Sequence, residues 1–432
     1  MGAGLCSAEV RDSRRPSPAP TSSSRGSQMM CHVSEGTVAC AAVGNTVILY
    51  QTATIKKLKE LEGHTGPITC LCPNETAIFS GSVDTTIKKW DLKDAKVLCN
   101  MEGHTGDVWC LQMVNGLLFS SSQDTTIRQW DPSTGSHLAT LSGHEGPVRY
   151  LMEAPEGMLI SASEDKSVKR WDPRSRALLA NLEGHMDEVT CLLATRGHLF
   201  TGSADYTIKH WNLENSALQA TWEGHLDLVT CLLELEGTIF SGSRDRTIRQ
   251  WDPKDGSKLA TLEGHFHGVT CLLAVEGSLL SGAGDRTIRQ WDPRDGSLIA
   301  TLESKTGITC LLDCGEAFFS GLARGYPLRF PPPRMPPGHP GRNQSRAEFG
   351  DEVAGGTGGK DEADAKDGMG DGQSSGHRNS SNGGSGSLQC VGRAREVGLG
   401  AEDSNAADPT LSGSQGTANV DKTIASPPLP GA

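Results

Sequence analysis

The chain has 432 residues, a formal net charge of -12 and a pI near 5.6. That acidic balance lacks the basic face a general nucleic-acid grip requires, and no run of 18 or more apolar residues is present to span a membrane as a helix. The length admits two or three average domains, or one large all-β domain with polar appendages.

Residues 1–28 hold no apolar core of the kind that marks a secretory signal, and Glu9 and Asp12 interrupt the arginines a transit peptide would need. They begin Met1-Gly2-Ala3-Gly4-Leu5-Cys6-Ser7, which misses the N-myristoylation pattern because Cys6 stands where Ser or Thr is required. This stretch reads as disordered. Residues 37–41 and 46–50 then read as the second and third strands of a weak sheet, with residues 57–61 as its fourth.

A period takes over from there. Gly-His recurs at Gly63-His64, Gly103-His104, Gly143-His144, Gly184-His185, Gly224-His225 and Gly264-His265, spaced by 40 or 41 residues. A Trp follows each at a near-constant interval: Trp90, Trp130, Trp171, Trp211, Trp251 and Trp291. All are followed by Asp except Trp211, which precedes Asn212. Within the first copy, residues 68–71, 77–82, 86–90 and 96–101 read as four short strands, and turn residues such as Asp255-Gly256 and Asp295-Gly296 separate strands in later copies. A four-stranded unit of this size cannot bury both of its faces alone, so such units gain stability by stacking on neighbours.

From about residue 54 to 322 the chain closely resembles the WD-repeat family. The resemblance implies an all-β propeller in which each blade carries a buried hydrogen-bonded tetrad. Carried onto this sequence, the tetrads are His64, Ser80, Asp84 and Trp90; His104, Ser120, Asp124 and Trp130; and His144, Ser161, Asp165 and Trp171. The other three are His185, Thr201, Asp205 and Trp211; His225, Ser241, Asp245 and Trp251; and His265, Ser281, Asp285 and Trp291. Ser, His and Asp together invite a hydrolase reading, but six equivalent sets would be six active sites without a shared pocket, whereas a catalytic set is singular and open to substrate. No Gly-rich phosphate loop, metal-ligand cluster or unrepeated nucleophile–base pair accompanies them, so no enzyme activity and no cofactor is expected.

Of the thirteen cysteines, Cys70, Cys110, Cys191, Cys231, Cys271 and Cys310 occupy one place in the repeat, and Tyr150 fills the remaining slot. Equivalent positions in successive repeats read as small buried apolar sites rather than disulfide partners, which suits a reducing compartment. The cytoplasm is the expected location, with the nucleus left open.

The last copy departs from the pattern. Ser304-Lys305 replaces Gly-His, Arg324 replaces the turn Asp, Phe330 replaces Trp, and Pro327 argues against a normal third strand. Either this blade has decayed or the sequence after Gly321 is foreign to the fold. Combining the partial copies at the two ends gives seven blades, a closure found in many members of the family, and counting them separately gives eight. Seven is the preferred count, with the propeller over residues 29–330 and a disordered, Gly-, Ser- and Pro-rich tail over residues 331–432.

The resemblance also implies a function, a non-catalytic scaffold that recruits other proteins; the acidic balance and the lack of a long apolar run leave neither nucleic acid nor membrane as an expected partner. In the family the top rim is lined by the third and fifth residues after the Gly-His histidine and by the residue before the turn Asp. Most of these are bland here (Thr69, Thr190, Thr230, Thr270, Ala204, Gly284). Asp107, Trp109, Gln123, Arg149 and Glu164, with Glu188 and Arg244 further round, stand out, and Trp and Arg are enriched at binding hot spots. An alternative comes from Trp171-Asp172-Pro173-Arg174 and Trp291-Asp292-Pro293-Arg294. These resemble the Trp-Asp-x-Arg box by which some WD-repeat proteins dock on the adaptor of a cullin-RING ubiquitin ligase, with Arg174 and Arg294 as the docking residues.

Overall fold

Burial in each repeat falls from the inner strands outward, and the sequence is written to match. The second strand of one repeat, Ala77–Ser82, is buried along its whole length, and its residues are apolar or small. The outermost strand, Val97–Met101, buries only Met101 and exposes Val97 and Leu98. A continuous apolar run suits a strand paired on both edges and covered on both faces, whereas an edge strand tolerates polar residues.

The computed structural model describes residues 29–331, apart from residues 35–36, 42–43, 55, 75–76, 315–316 and 323–326. The expectations for residues 1–28, for Arg324 and for the tail beyond Pro331 lie outside the described residues. Among the described residues eight antiparallel sheets form in chain order, each a simple meander. We call them blades 1 to 8, spanning residues 29–61, 68–101, 108–141, 148–182, 189–222, 229–262, 269–303 and 308–330. The first strands of successive blades lie side by side, and Ile308–Asp313 of blade 8 meets Met29–Ser34 of blade 1 to close the ring. Met30 packs there against Leu312, Ala317 and Phe319 on one side and Ile48 and Tyr50 on the other.

The sevenfold count holds for the four-stranded sheets, but the sharing of one sheet by the two chain ends, on which it was based, does not occur. Blade 1 has its own first strand, Met29–Ser34, paired with Thr37–Ala41, and therefore borrows none from the other end. Among the described residues blade 8 has three strands of its own. Its third, Leu328–Phe330, corrects the expectation drawn from Pro327: the strand begins just after the proline, where a missing N–H removes no ladder bond. Phe330 stacks on Phe318, with ring centroids 5.1 Å apart. Ser320, at the tetrad position of this blade, has no hydrogen-bond partner among the described residues.

The cores lie between blades rather than within them. Cys231, Phe240, Ile248 and Leu262 of blade 6 pack against Val269, Leu272, Leu279 and Trp291 of blade 7. Burying each large apolar side chain is worth about 1.5–3 kcal/mol, and none of it is available to an isolated blade. The approach is close enough to dictate glycine: a Cβ on Gly242 would fall 2.6 Å from Cys231 Sγ and 2.7 Å from Val269 Cγ1. Gly242→Ala is therefore expected to destabilise the chain by about 1–3 kcal/mol through overpacking. Urea unfolding measures this, and an unchanged midpoint would show that the two blades have slack.

Candidate functional site

In an antiparallel meander the turn between the second and third strands lies at the same end as the connection to the next blade. We call this end the top. Each tetrad ties those two loops together. In blade 2, Trp90 Nε1 donates to Ser80 Oγ at 2.7 Å, and Ser80 Oγ lies 2.7 Å from His64 Nε2. His64 Nδ1 lies 2.8 Å from Asp84 Oδ2. Because the indole can only donate, the hydroxyl donates onward to Nε2, which leaves the imidazole proton on Nδ1, facing the carboxylate. Asp84 also accepts the N–H groups of Thr65 and Thr86 and the Thr86 hydroxyl. The same geometry recurs for His104–Ser120–Asp124–Trp130, His144–Ser161–Asp165–Trp171, His185–Thr201–Asp205–Trp211, His225–Ser241–Asp245–Trp251 and His265–Ser281–Asp285–Trp291. The six Ser or Thr residues are fully buried and the histidines nearly so, leaving no room for a substrate.

Burial holds His64, His144, His225 and His265 below their ordinary value of 6.5, although the bond to Asp opposes it. Burial would raise the carboxylates, but their accepted hydrogen bonds outweigh it and hold Asp84 at about 2. Asp124, Asp165, Asp205, Asp245 and Asp285 are likewise lowered.

A second repeated device lies at the top of the first strands. The register slips there by one residue, so that Thr69, Thr190, Thr230 and Thr270 each occupy a β-bulge. Their hydroxyls reach two carbonyls. Thr230 Oγ1 lies 2.9 Å from Gly242 O in its own blade and 2.7 Å from Val269 O in the next. Thr270 does the same with Gly282 and Ile308, Thr69 with Gly81 and Val108, and Thr190 with Gly202 and Val229. The threonine is thus a clip between neighbouring blades.

Blades 3 and 4 place Trp109 and Arg149 in this bulge and lack the clip. The Arg149 guanidinium carbon instead lies 3.5 Å from the Trp109 ring centroid, and its Nε donates to Glu164 Oε1 at 2.8 Å. All three side chains are half-buried. Gln123 is exposed beside them, its N–H bonded to Asp107 O at 2.9 Å. Glu188 and Arg244 hold the matching rim positions on blades 5 and 6, where Arg244 Nε faces Asp227 at 4.0 Å.

At the opposite end, Arg174 is exposed, and Arg294 is half-exposed 3.6 Å from Glu236. The turns that carry them are fastened to the preceding blades: Gln129 Nε2 donates to Pro173 O and Gln250 Nε2 to Pro293 O, each at 2.9 Å.

Three residues escape the sequence reading. Met186, Leu226 and Phe266, each directly after a tetrad histidine, are 77%, 80% and 79% exposed. The signal that could have found them is a comparison of that slot across repeats, since the others hold Thr65, Thr105 and Glu145. His210 and His198 also meet, 2.8 Å apart between Nε2 and Nδ1, and burial and the neighbouring imidazole lower His210 to about 4.

A closed ring of antiparallel blades, six of them locked by the same polar network, defines a repeat propeller. The WD40 family model, described as WD domain, G-beta repeat, matches residues 55–91, 95–131, 135–172, 176–212, 216–252 and 256–292, and the chain belongs to that family. No curated protein matches. Among solved structures, the chain is similar to the crystal structure of the computationally designed Ika8 protein, with 28% identity, a TM-score of 0.66 and coverage of 71% of this chain and 96% of that one. WD40 propellers generally mediate protein–protein interaction and are generally non-catalytic. Among the described residues, no helix is long and apolar enough to cross a membrane.

Two outcomes follow for the tetrads. Ser241→Ala leaves His225 Nε2 and Trp251 Nε1 buried without their shared partner, which costs about 1–3 kcal/mol; chemical denaturation measures it. The lowered histidine and carboxylate values both favour the deprotonated forms in the folded state. Their stabilisation is full above 6.5 and 3.8 respectively and is lost as pH falls through the folded values. The melting temperature should therefore decline below pH 6.5 and fall again from pH 3.8 toward about 2. A profile flat from neutrality to pH 4 would contradict the histidine part.

Proposed function

We propose that this propeller is a non-catalytic scaffold, cytoplasmic in location, that recruits a partner protein through the top rim of blades 3 and 4. The observation that carries the reading is the exchange of Thr for Trp109 and Arg149 at two adjacent bulges. In four sister blades that position fastens the ring. Here the fastening is given up for a half-buried indole and guanidinium at the surface, the residue types that dominate binding hot spots. Glu164 holds the guanidinium in place, so little side-chain freedom is left to lose on binding. Asp107 and Gln123 border the stack and supply polar contacts at its edge. Glu188 and Arg244 extend the rim around the opening.

Affinity capture and mass spectrometry with the full chain, Trp109→Ala and Arg149→Ala test this. A partner held by the wild type is expected to be lost from both variants, each substitution weakening binding by about 2 kcal/mol or more, with the fold retained by circular dichroism. Equal recovery by all three chains would remove the rim from the account.

The exposure of Arg174 on a turn pinned to its neighbour favours one further reading, a substrate receptor docked on a ubiquitin-ligase adaptor. Loss of a cullin-ligase adaptor from Arg174→Ala/Arg294→Ala would support it, and its absence from the wild-type capture would end it.

A further inference from the structure

Met186, Leu226 and Phe266 stand on three consecutive blades at one place in the fold. The backbone there is the same in all six repeats: the N–H of Thr65, Thr105, Glu145, Met186, Leu226 or Phe266 donates to the tetrad Asp at 2.8–3.0 Å. Folding is thus served equally by a polar side chain, as Thr65, Thr105 and Glu145 demonstrate. The repeats act as internal controls, and three large apolar side chains about four-fifths exposed answer no requirement of the ring. Apolar residues scattered singly on a surface are ordinary, but the same exposed slot filled on three consecutive blades by large apolar side chains points to an interaction surface.

On two blades the residue after the tetrad Asp touches the loop that leads into the next blade. Lys166 Nζ donates to Met186 O at 2.8 Å, and Arg286 O accepts from Ser304 N–H at 2.8 Å. Tyr206, Arg246 and Arg286 hold this position on blades 5 to 7, where blades 2 and 3 have Thr85 and Thr125. Tyr206 is 46% exposed, and Arg246 and Arg286 are exposed and form no ion pair among the described residues. Large apolar side chains and Tyr206, Arg246 and Arg286 therefore alternate in these two slots on blades 5 to 7. The corresponding arc of blades 2 and 3 is threonine.

We infer that Met186, Tyr206, Leu226, Arg246, Phe266 and Arg286 form a second docking arc, which takes a partner protein segment carrying apolar anchors interspersed with carboxylates. Charge complementarity selects the carboxylates, since the two arginines form no ion pair among the described residues. It also favours a polypeptide over an anionic bilayer. Asp187, Glu188 and Asp227 stand on the same loops and would repel a continuous anionic surface, whereas a peptide places its charges one at a time. The inference rests on the reading of the propeller as a protein-binding scaffold but uses none of the residues of the blade 3 and 4 rim.

A displayed library of random short peptides, selected on the full chain, supplies the probe. Enriched peptides are expected to pair at least two Leu, Phe, Met or Trp residues with Asp or Glu. Met186→Thr/Leu226→Thr/Phe266→Thr, which installs the residue used at positions 65 and 105, should weaken the best of them about 10-fold or more. Arg246→Thr/Arg286→Thr should remove the preference for acidic over amide-substituted peptides, and Trp109→Ala should leave both results unchanged. Failure to enrich such peptides, or equal binding by the triple variant, overturns the inference. So does binding of phosphatidylserine-containing phosphatidylcholine vesicles in place of peptides. Loss of peptide binding on Trp109→Ala with retention by the triple variant would also overturn it, while leaving the blade 3 and 4 rim in place.

Discussion

Seven indoles are buried, and six of them find an acceptor for an N–H whose isolation from water would cost about 1–3 kcal/mol, whereas Trp222 Nε1 has none among the described residues. In blades 2 to 7 the chain answers with one hydroxyl, which accepts from Trp and donates to His, and with one carboxylate that fixes the imidazole and gathers the turn around it. This network connects the connection into a blade with the turn between that blade's second and third strands, so the top surface is rigid at equivalent points. Everything the molecule offers a partner is displayed from those points. Blade 8 lacks the network. Ser320 has neither Trp nor His beside it, Phe330 stacks on Phe318 instead, and the described sheet has three strands.

The ring gives each substitution its own reference. A residue that differs from its five counterparts can be judged against what they do at the same place. At the bulge, Thr joins two blades by hydrogen bonds to backbone carbonyls, and Trp109 and Arg149 forgo those bonds. After the tetrad histidine, Thr and Glu serve the backbone as well as Met, Leu and Phe do. Departures of this kind point outward, to whatever binds. The two sets lie on different blades, which suits a scaffold that holds more than one segment or one long partner.

Much of this was legible before any coordinates. The 40-residue recurrence of Gly-His and Trp determines the blade, and the runs such as residues 77–82 mark strands covered on every side. Legibility failed where repeat markers are missing. Met29–Ser34 carries neither Gly-His nor Trp, so blade 1 looked incomplete and the two ends looked like halves of one sheet. Leu328–Phe330 is hidden because Pro327 reads as a break, although it stands just before the strand, where no ladder N–H is needed. The inter-blade role of Thr69 and its counterparts was invisible for another reason: its acceptor lies about a whole repeat away in sequence. Met186, Leu226 and Phe266 were overlooked because apolar residues in a strand-rich chain are expected inside.

The most direct test of the central claim, that blades 3 and 4 give up fastening for recognition, is the thermal stability of Trp109→Thr/Arg149→Thr. The account predicts a melting temperature equal to or above that of the wild type, since the two clips become available again, together with loss of the partner captured by the wild type. A clear fall in melting temperature would contradict it, because the stack of Arg149 on Trp109 would then be part of what holds the ring together.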